Sequence, residues 1–191
     1  MGHILIDILS TLTPLSEEEK HDITTSIPIR TIEKGTYLER IGDISRNSYF
    51  VIKGCIREFE LGDGEEKTTA FYTEEDSAVN FTSLSNQTPS TKNFLCEEDT
   101  TIAILNAEEE NALYQKYPRF EQFCRSGVEQ MMGQKQDQLA SMILLKPEER
   151  YEKLQRERPD LLNRVAQYHI ASYLGIQPET LSRIRRRLVR N

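Results

Sequence analysis

Five residues near the C-terminus, Glu179, Thr180, Ser182, Arg183 and Arg186, carry the clearest chemistry in this chain. A glutamate can accept from cytosine N4, and an arginine can donate twice to guanine O6 and N7, so Glu179 and Arg183 are candidate base readers. The Thr180 and Ser182 hydroxyls and the Arg186 guanidinium suit phosphate oxygens. Their spacing predicts the outward face of a helix opening near Pro178, with Leu181 and Ile184 on the inward face. Arg185, Arg187 and Arg190 extend the basic cluster, and the inward stripe of Ile184 and Leu188 leaves Arg186 nearest the exposed side. A plainer reading is a solvated basic face on which Glu179 and Arg183 form an i,i+4 ion pair worth about a few tenths of a kcal/mol.

A reading helix needs a partner that fixes its angle, and the preceding residues supply one. A helix-turn-helix requires a small residue where the helices touch, a glycine able to take positive φ in the turn, and apolar residues at the corner. Ala171 and Gly175 meet the first two needs, and Ile170, Leu174, Ile176, Leu181 and Ile184 meet the third. Pro178 fits the first turn of the second helix. An ordinary helical corner satisfies the same pattern without reading anything.

The 191 residues carry a net charge of −7, unevenly spread. Residues 1–143 hold 13 basic and 25 acidic side chains, whereas residues 144–191 hold 11 basic and 6 acidic ones. An acidic body repels DNA phosphate while a basic end attracts it, so the C-terminal part is the expected docking end. Cys55, Cys96 and Cys124 are odd in number and lack C-x-x-C spacing, which supports neither a disulfide framework nor a metal cassette. His3, His21 and His169 lie far apart, and His169 is expected to pack a helix or face phosphate. No phosphate-binding Gly-rich loop, nucleophile elbow or H-E-x-x-H pair occurs, so no catalytic residues, metal or cofactor are expected. No leader or membrane-spanning run is visible, and cytoplasmic residence is the expectation.

The elements follow from texture. Ser16-Glu-Glu-Glu19 has capping-box spacing, and two short N-terminal helices are predicted. From about Ile27 to Leu105, short apolar runs such as Tyr49-Phe-Val-Ile52 alternate with turn glycines, the pattern of an antiparallel barrel or roll. Helices are predicted over Ala107–Lys116, from Pro118 onward and from Pro147 onward. On the long helix Cys124, Val128, Met131, Leu139 and Met142 recur every three or four residues, interrupted by Lys135. Such a seam suits a two-stranded coiled coil, or equally a helix lying on its own barrel.

With these pieces in place, the chain resembles the Crp/Fnr family of bacterial transcription regulators over nearly its whole length. The resemblance rests on the Lys34-Gly35 and Ile41-Gly42 turns, Tyr49-Phe-Val-Ile-Lys-Gly-Cys-Ile-Arg57, Asp63-Gly-Glu65, Glu149-Arg-Tyr151 and, most specifically, Ile170-Ala-Ser-Tyr-Leu-Gly-Ile-Gln-Pro-Glu-Thr-Leu-Ser-Arg-Ile184. It implies an α+β architecture: a cyclic-nucleotide-binding-type β-roll over residues 1–117, a dimerisation helix over 118–145 and a helix-turn-helix over 146–191. The β-hairpin wing common in the family is expected to be absent. It further implies a homodimer on palindromic double-stranded DNA, with room for RNA polymerase as a partner and no membrane. The rival expectation is a sensor or protein-interaction module that keeps the fold without working DNA recognition.

Two departures from the family pattern stand out. Nucleotide-binding members carry a Gly-Glu element that holds the ribose and an Arg-Ser element that neutralises the cyclic phosphate; here Ala78-Val-Asn-Phe-Thr-Ser-Leu84 and Thr88-Pro-Ser-Thr-Lys92 stand in those stretches. Without the bidentate arginine, cyclic AMP in the usual pose is not expected. An effector of unknown identity would lie near Asn80, Ser83, Ser90, Thr91 and Lys92, with Lys135 or Gln136 reaching in from the long helix; Lys92 otherwise reads as a solvated strand residue and Lys135 as a register-fixing polar interruption. In the reading head, many members present Arg-Glu and a second Arg four residues after the Glu, and here Pro178 replaces the first of these three readers.

Overall fold

The capping box forms as its spacing predicts: the Glu19 amide donates to Ser16 Oγ at 3.2 Å and the Ser16 amide to Glu19 Oε2 at 2.7 Å. It opens α2 (Glu17–Ser26), preceded by α1 (Ile4–Leu12). The structure, a computed structural model, describes residues 3–188, so Arg190 lies outside the described residues.

Eight strands follow: β1 (Ile29–Ile32), β2 (Tyr37–Glu39), β3 (Asn47–Lys53), β4 (Ile56–Gly62), β5 (Glu65–Tyr72), β6 (Ser77–Ala78), β7 (Asn93–Cys96) and β8 (Thr100–Asn106), with the short helix α3 (Phe81–Asn86) between β6 and β7. They form two four-stranded sheets in the orders β1-β8-β3-β6 and β2-β7-β4-β5. The pairs β1–β8, β3–β8, β3–β6 and β2–β7 run antiparallel, as short alternating strands joined by tight turns favour. Inward residues fill the roll. Val51, Ile56, Phe94 and Ile102 are fully buried, and the rings of Tyr49 and Tyr72 meet Phe94 edge-on at 6.5 and 6.0 Å.

Gly54 turns β3 into β4 at φ +116°, a conformation that favours glycine, and a Cβ there would stand 2.6 Å from Thr100 Cα. That approach lets Thr100 Oγ1 accept from the Cys55 amide at 3.3 Å. Outside the roll, Ile23, Ile27, Leu113 and Phe120 gather over Ala103, bringing α2, α4 (Ala107–Lys116) and the first turns of α5 (Pro118–Leu144) onto β8.

The chain divides into two compact units: residues 1–58 with 71–123, and residues 59–70 with 124–191. The second unit contains the rest of α5, α6 (Pro147–Glu157), α7 (Leu161–Arg164), α8 (Gln167–Tyr173), α9 (Pro178–Leu188) and the tip of the β4–β5 hairpin. Its core is Tyr151, Leu154, Leu161, Val165, Ile170, Ala171, Leu174, Leu181 and Ile184.

The apolar residues of α5 fall on two adjoining stripes. Phe120 is the buried residue of this helix, and from Val128 onward the exposed large apolar side chains are Val128 (39%), Met132 (58%), Leu139 (63%), Ile143 (74%) and Leu144 (77%). Met131 and Met142, expected in the seam, are half-buried, and the Met142 methyl sits 3.3 Å from where a Gly175 Cβ would stand. Val128 and Leu139 are common to both stripes, and the packing of Met142 against the turn at Gly175 distinguishes them. Among the described residues no helix is long and apolar enough to cross a membrane.

Gly54→Ala combines a disfavoured φ with a collision against β8 backbone, and should cost about 3 kcal/mol or more. Urea unfolding of the two proteins measures it, with Gly64→Ala, where a Cβ meets nothing within 4 Å, as the control for strain alone.

Candidate functional site

The turn between α8 and α9 is built by hydrogen bonds that end the first helix. Gly175, at φ +67°, donates to Ser172 O at 3.0 Å, and Ile176 donates to Ala171 O at 3.0 Å. This is the paired pattern of a Schellman motif, in which the left-handed residue caps the carbonyls the helix leaves open. Ala171 is completely buried, so the two helices approach closely there. α9 then starts at Pro178, with the Thr180 and Leu181 amides donating to Gln177 O at 3.0 and 3.1 Å.

Leu181 and Ile184 turn inward, as their spacing predicts. Glu179, Ser182, Arg183 and Arg186 are exposed, at relative positions 0, +3, +4 and +7, and so share one stripe of the helix; Thr180 is half-buried beside them. Arg185 is exposed as well. Arg187 is tied to α6, its Nη1 lying 3.0 Å from Glu148 Oε2, which removes it from the set of unengaged cations. His169 is buried, its ring centroid 4.0 Å from that of Tyr168.

Several residues without a sequence signal contact this corner. Gln138 of α5 donates to Tyr173 Oη at 2.9 Å, and the Thr68 amide of β5 donates to Ser172 Oγ at 2.9 Å. Lys153 of α6 donates to Ser141 Oγ at 2.6 Å. No local signal points to them, since Thr68 and Ser172 are 104 residues apart.

The other predicted cluster lies in the roll, and the structure brings most of it together. Asn80 Nδ2 donates to Glu39 Oε1 at 2.7 Å and to Ser90 Oγ at 2.8 Å, while Asn80 Oδ1 accepts from the Ser83 amide at 3.2 Å and so caps α3. Ser45 Oγ donates to the other oxygen of Glu39 at 2.5 Å, and Ser83 Oγ donates to Thr88 O at 2.6 Å. Lys92 precedes β7 and engages buried Glu58 at 2.8 Å, where Tyr72 Oη also donates, at 2.6 Å. Lys92 is therefore neither an uncommitted phosphate ligand nor a solvated strand residue. Thr91 is exposed and stands apart from this network. Lys135, half-buried, and Gln136, exposed, belong to the other unit. Glu39, Ser45, Glu58 and Tyr72 complete the cluster, although their spacing in the chain shows no motif. An anion here would meet two buried carboxylates and one ammonium already engaged, an unfavourable setting for phosphate.

None of the three cysteines is in a disulfide; Cys55 and Cys96 are buried and Cys124 is exposed. Burial pushes the Cys96 thiol up to about 11, keeping it protonated and unreactive at neutral pH. No cluster of three or more metal-ligating side chains occurs among the described residues.

Residues 29–117 match the cyclic nucleotide-binding domain family. Solved structures resemble the chain along most of its length. FixK2 from Bradyrhizobium japonicum superposes with a TM-score of 0.72 at 16% identity, covering 85% of this chain and 84% of its own. The c-di-GMP-responsive global regulator CLP of Xanthomonas campestris gives 0.70 at 14% identity, covering 91% of each chain. The catabolite activator protein of Thermus thermophilus gives 0.53 at 22% identity, covering 92% of this chain and 84% of its own. No curated protein sequence matches significantly. The architecture is thus that of the Crp/Fnr regulators, with roll, long helix and C-terminal helices in the order the sequence resemblance implies.

Lys92→Met removes the ammonium that neutralises buried Glu58 and should cost about 2 kcal/mol at pH 7, with Glu58→Gln added to Lys92→Met recovering part of it. Chemical denaturation of wild type and the two variants tests this; equal stability of all three would mean the pair contributes nothing net.

Proposed function

We propose that this chain is a homodimeric, DNA-binding transcription regulator of the Crp/Fnr type, whose roll does not take cyclic AMP in the usual pose. The observation carrying the reading is the exposed stripe of Glu179, Ser182, Arg183 and Arg186 on α9, backed by a buried corner that holds the helix at a fixed angle. A carboxylate and an arginine one turn apart match the donors and acceptors of a C·G or G·C pair, and Arg186 with the hydroxyls matches the phosphate backbone. The basic C-terminal part supplies the sequence-independent attraction such binding needs.

Dimerisation is favoured by the exposed stripe of Val128, Met132, Leu139 and Ile143, since apolar side chains in a row along a long helix gain most by meeting a second copy. A two-fold pair would place two α9 helices in successive major grooves, about 34 Å apart. In the roll, Asn80, Ser83, Ser90 and Lys92 remain the proposed effector residues. Their engagement with Glu39 and Glu58 argues for an effector that is neutral or cationic, because it must replace hydrogen bonds already made to carboxylates.

Arg183→Ala should lose about 1–3 kcal/mol at a selected operator and relax the preference at one base pair in each half-site. Arg186→Ala should weaken all sequences about equally and reduce the salt slope by about one. Fluorescence anisotropy over a salt series separates the two. If neither variant differs from wild type, α9 is not the reader, and an interaction module without DNA recognition becomes the better account. Light scattering of a Leu139→Glu, Ile143→Glu double variant tests the pairing, and the expected product is a monomer; a persistent dimer would place the interface elsewhere.

A further inference from the structure

The turn joining β4 to β5 is Asp63-Gly64, with φ of +54° and +80°, the two left-handed residues of a type I′ hairpin. Although its strands begin in the roll, residues 59–70 at its tip form one compact unit with the C-terminal helices. The hairpin grips α8 at a defined point: the Thr68 amide donates to Ser172 Oγ at 2.9 Å, and Ser172 Oγ lies 3.4 Å from Glu66 O. Ser172 sits between Ala171, buried against α9, and Tyr173, held by Gln138. The recognition chemistry on α9 does not require this contact.

The charge of the tip is informative. Residues 59–70 contain Glu60, Asp63, Glu65 and Glu66 against Lys67 alone. In a helix-turn-helix the first helix crosses the DNA backbone. A helix of seven residues is about 10 Å long, comparable with the Debye length of about 8 Å at physiological ionic strength. Acidic side chains on a strand bonded to α8 therefore lie within range of the phosphates that α8 must approach, and they repel them. We infer that the β4–β5 hairpin is an autoinhibitory latch, in which the Thr68–Ser172 hydrogen bond holds acidic residues against the DNA-binding helices until it is released.

The latch is weakly closed. Thr68 Oγ1 is buried without a hydrogen-bond partner among the described residues; this residue bonds α8 through its amide and leaves its own hydroxyl unsatisfied while the hairpin is closed. A contact carrying such a penalty opens under a small bias, from approaching DNA or from a change in the roll where the same two strands begin.

The inference rests on the DNA-binding reading, and the test separates the two. Full-length wild type, Ser172→Ala, Ser172→Thr and Thr68→Val are titrated with a selected operator duplex at low and high salt. Loss of one hydrogen bond should make Ser172→Ala bind about three- to tenfold tighter, with the gain shrinking as salt rises. Ser172→Thr keeps the hydroxyl and should bind as wild type does. Thr68→Val keeps the amide but removes the stranded hydroxyl, so it closes the latch more firmly and should bind more weakly. A serine that merely supported the fold would give the opposite sign, since its loss would weaken DNA binding. Wild type that binds DNA while Ser172→Ala binds equally or less tightly overturns the latch and leaves the DNA reading intact. Absence of binding by all four proteins overturns both.

Discussion

The left-handed backbone at Gly175 is the constraint on which the rest of the α8–α9 corner depends. A residue with a Cβ would strain the turn, and the space beside it is already taken by the Met142 methyl. With that turn in place, the Ala171 and Ser172 carbonyls are capped, α8 stops, and α9 leaves at a fixed angle over buried Ala171. That angle decides which stripe of α9 faces outward. The chemistry of Glu179 and Arg183 is thus set as much by one glycine as by their own side chains, and Met142 carries the constraint back into the long helix.

The roll answers a different problem, that of buried charge. Glu39 and Glu58 are buried in the protein interior, and each is met by hydroxyl, amide or ammonium donors, some from near in the chain and some from far. Such a network stabilises one arrangement of strands because every alternative strands a charge away from water. It also makes the interior selective, since an incoming molecule must offer better partners than those already present.

Much of this fold is legible in the sequence. The helices opened by Ser16, Pro118 and Pro147 announce themselves through caps and first-turn prolines, and the turn at Gly175 through its place between two apolar stripes. The roll's polar network was only half legible: Asn80, Ser83, Ser90 and Lys92 drew attention, but Glu39 and Glu58 lie 41 and 34 residues from their partners and no period links them. α3 and α7 escaped notice because helices of six and four residues are too short to show periodicity. The seam on α5 is legible only to within a neighbouring stripe, for a related reason. Cys124, Val128 and Leu139 fit two neighbouring registers equally well, and only the packing of Met142 on the turn glycine separates them.

The bare stripe on α5 has a thermodynamic consequence. Val128, Met132, Leu139 and Ile143 face water in the single chain. On the pairing proposed above, burying them would tie folding stability to protein concentration through mass action, so the midpoint of unfolding would rise with the number of copies present.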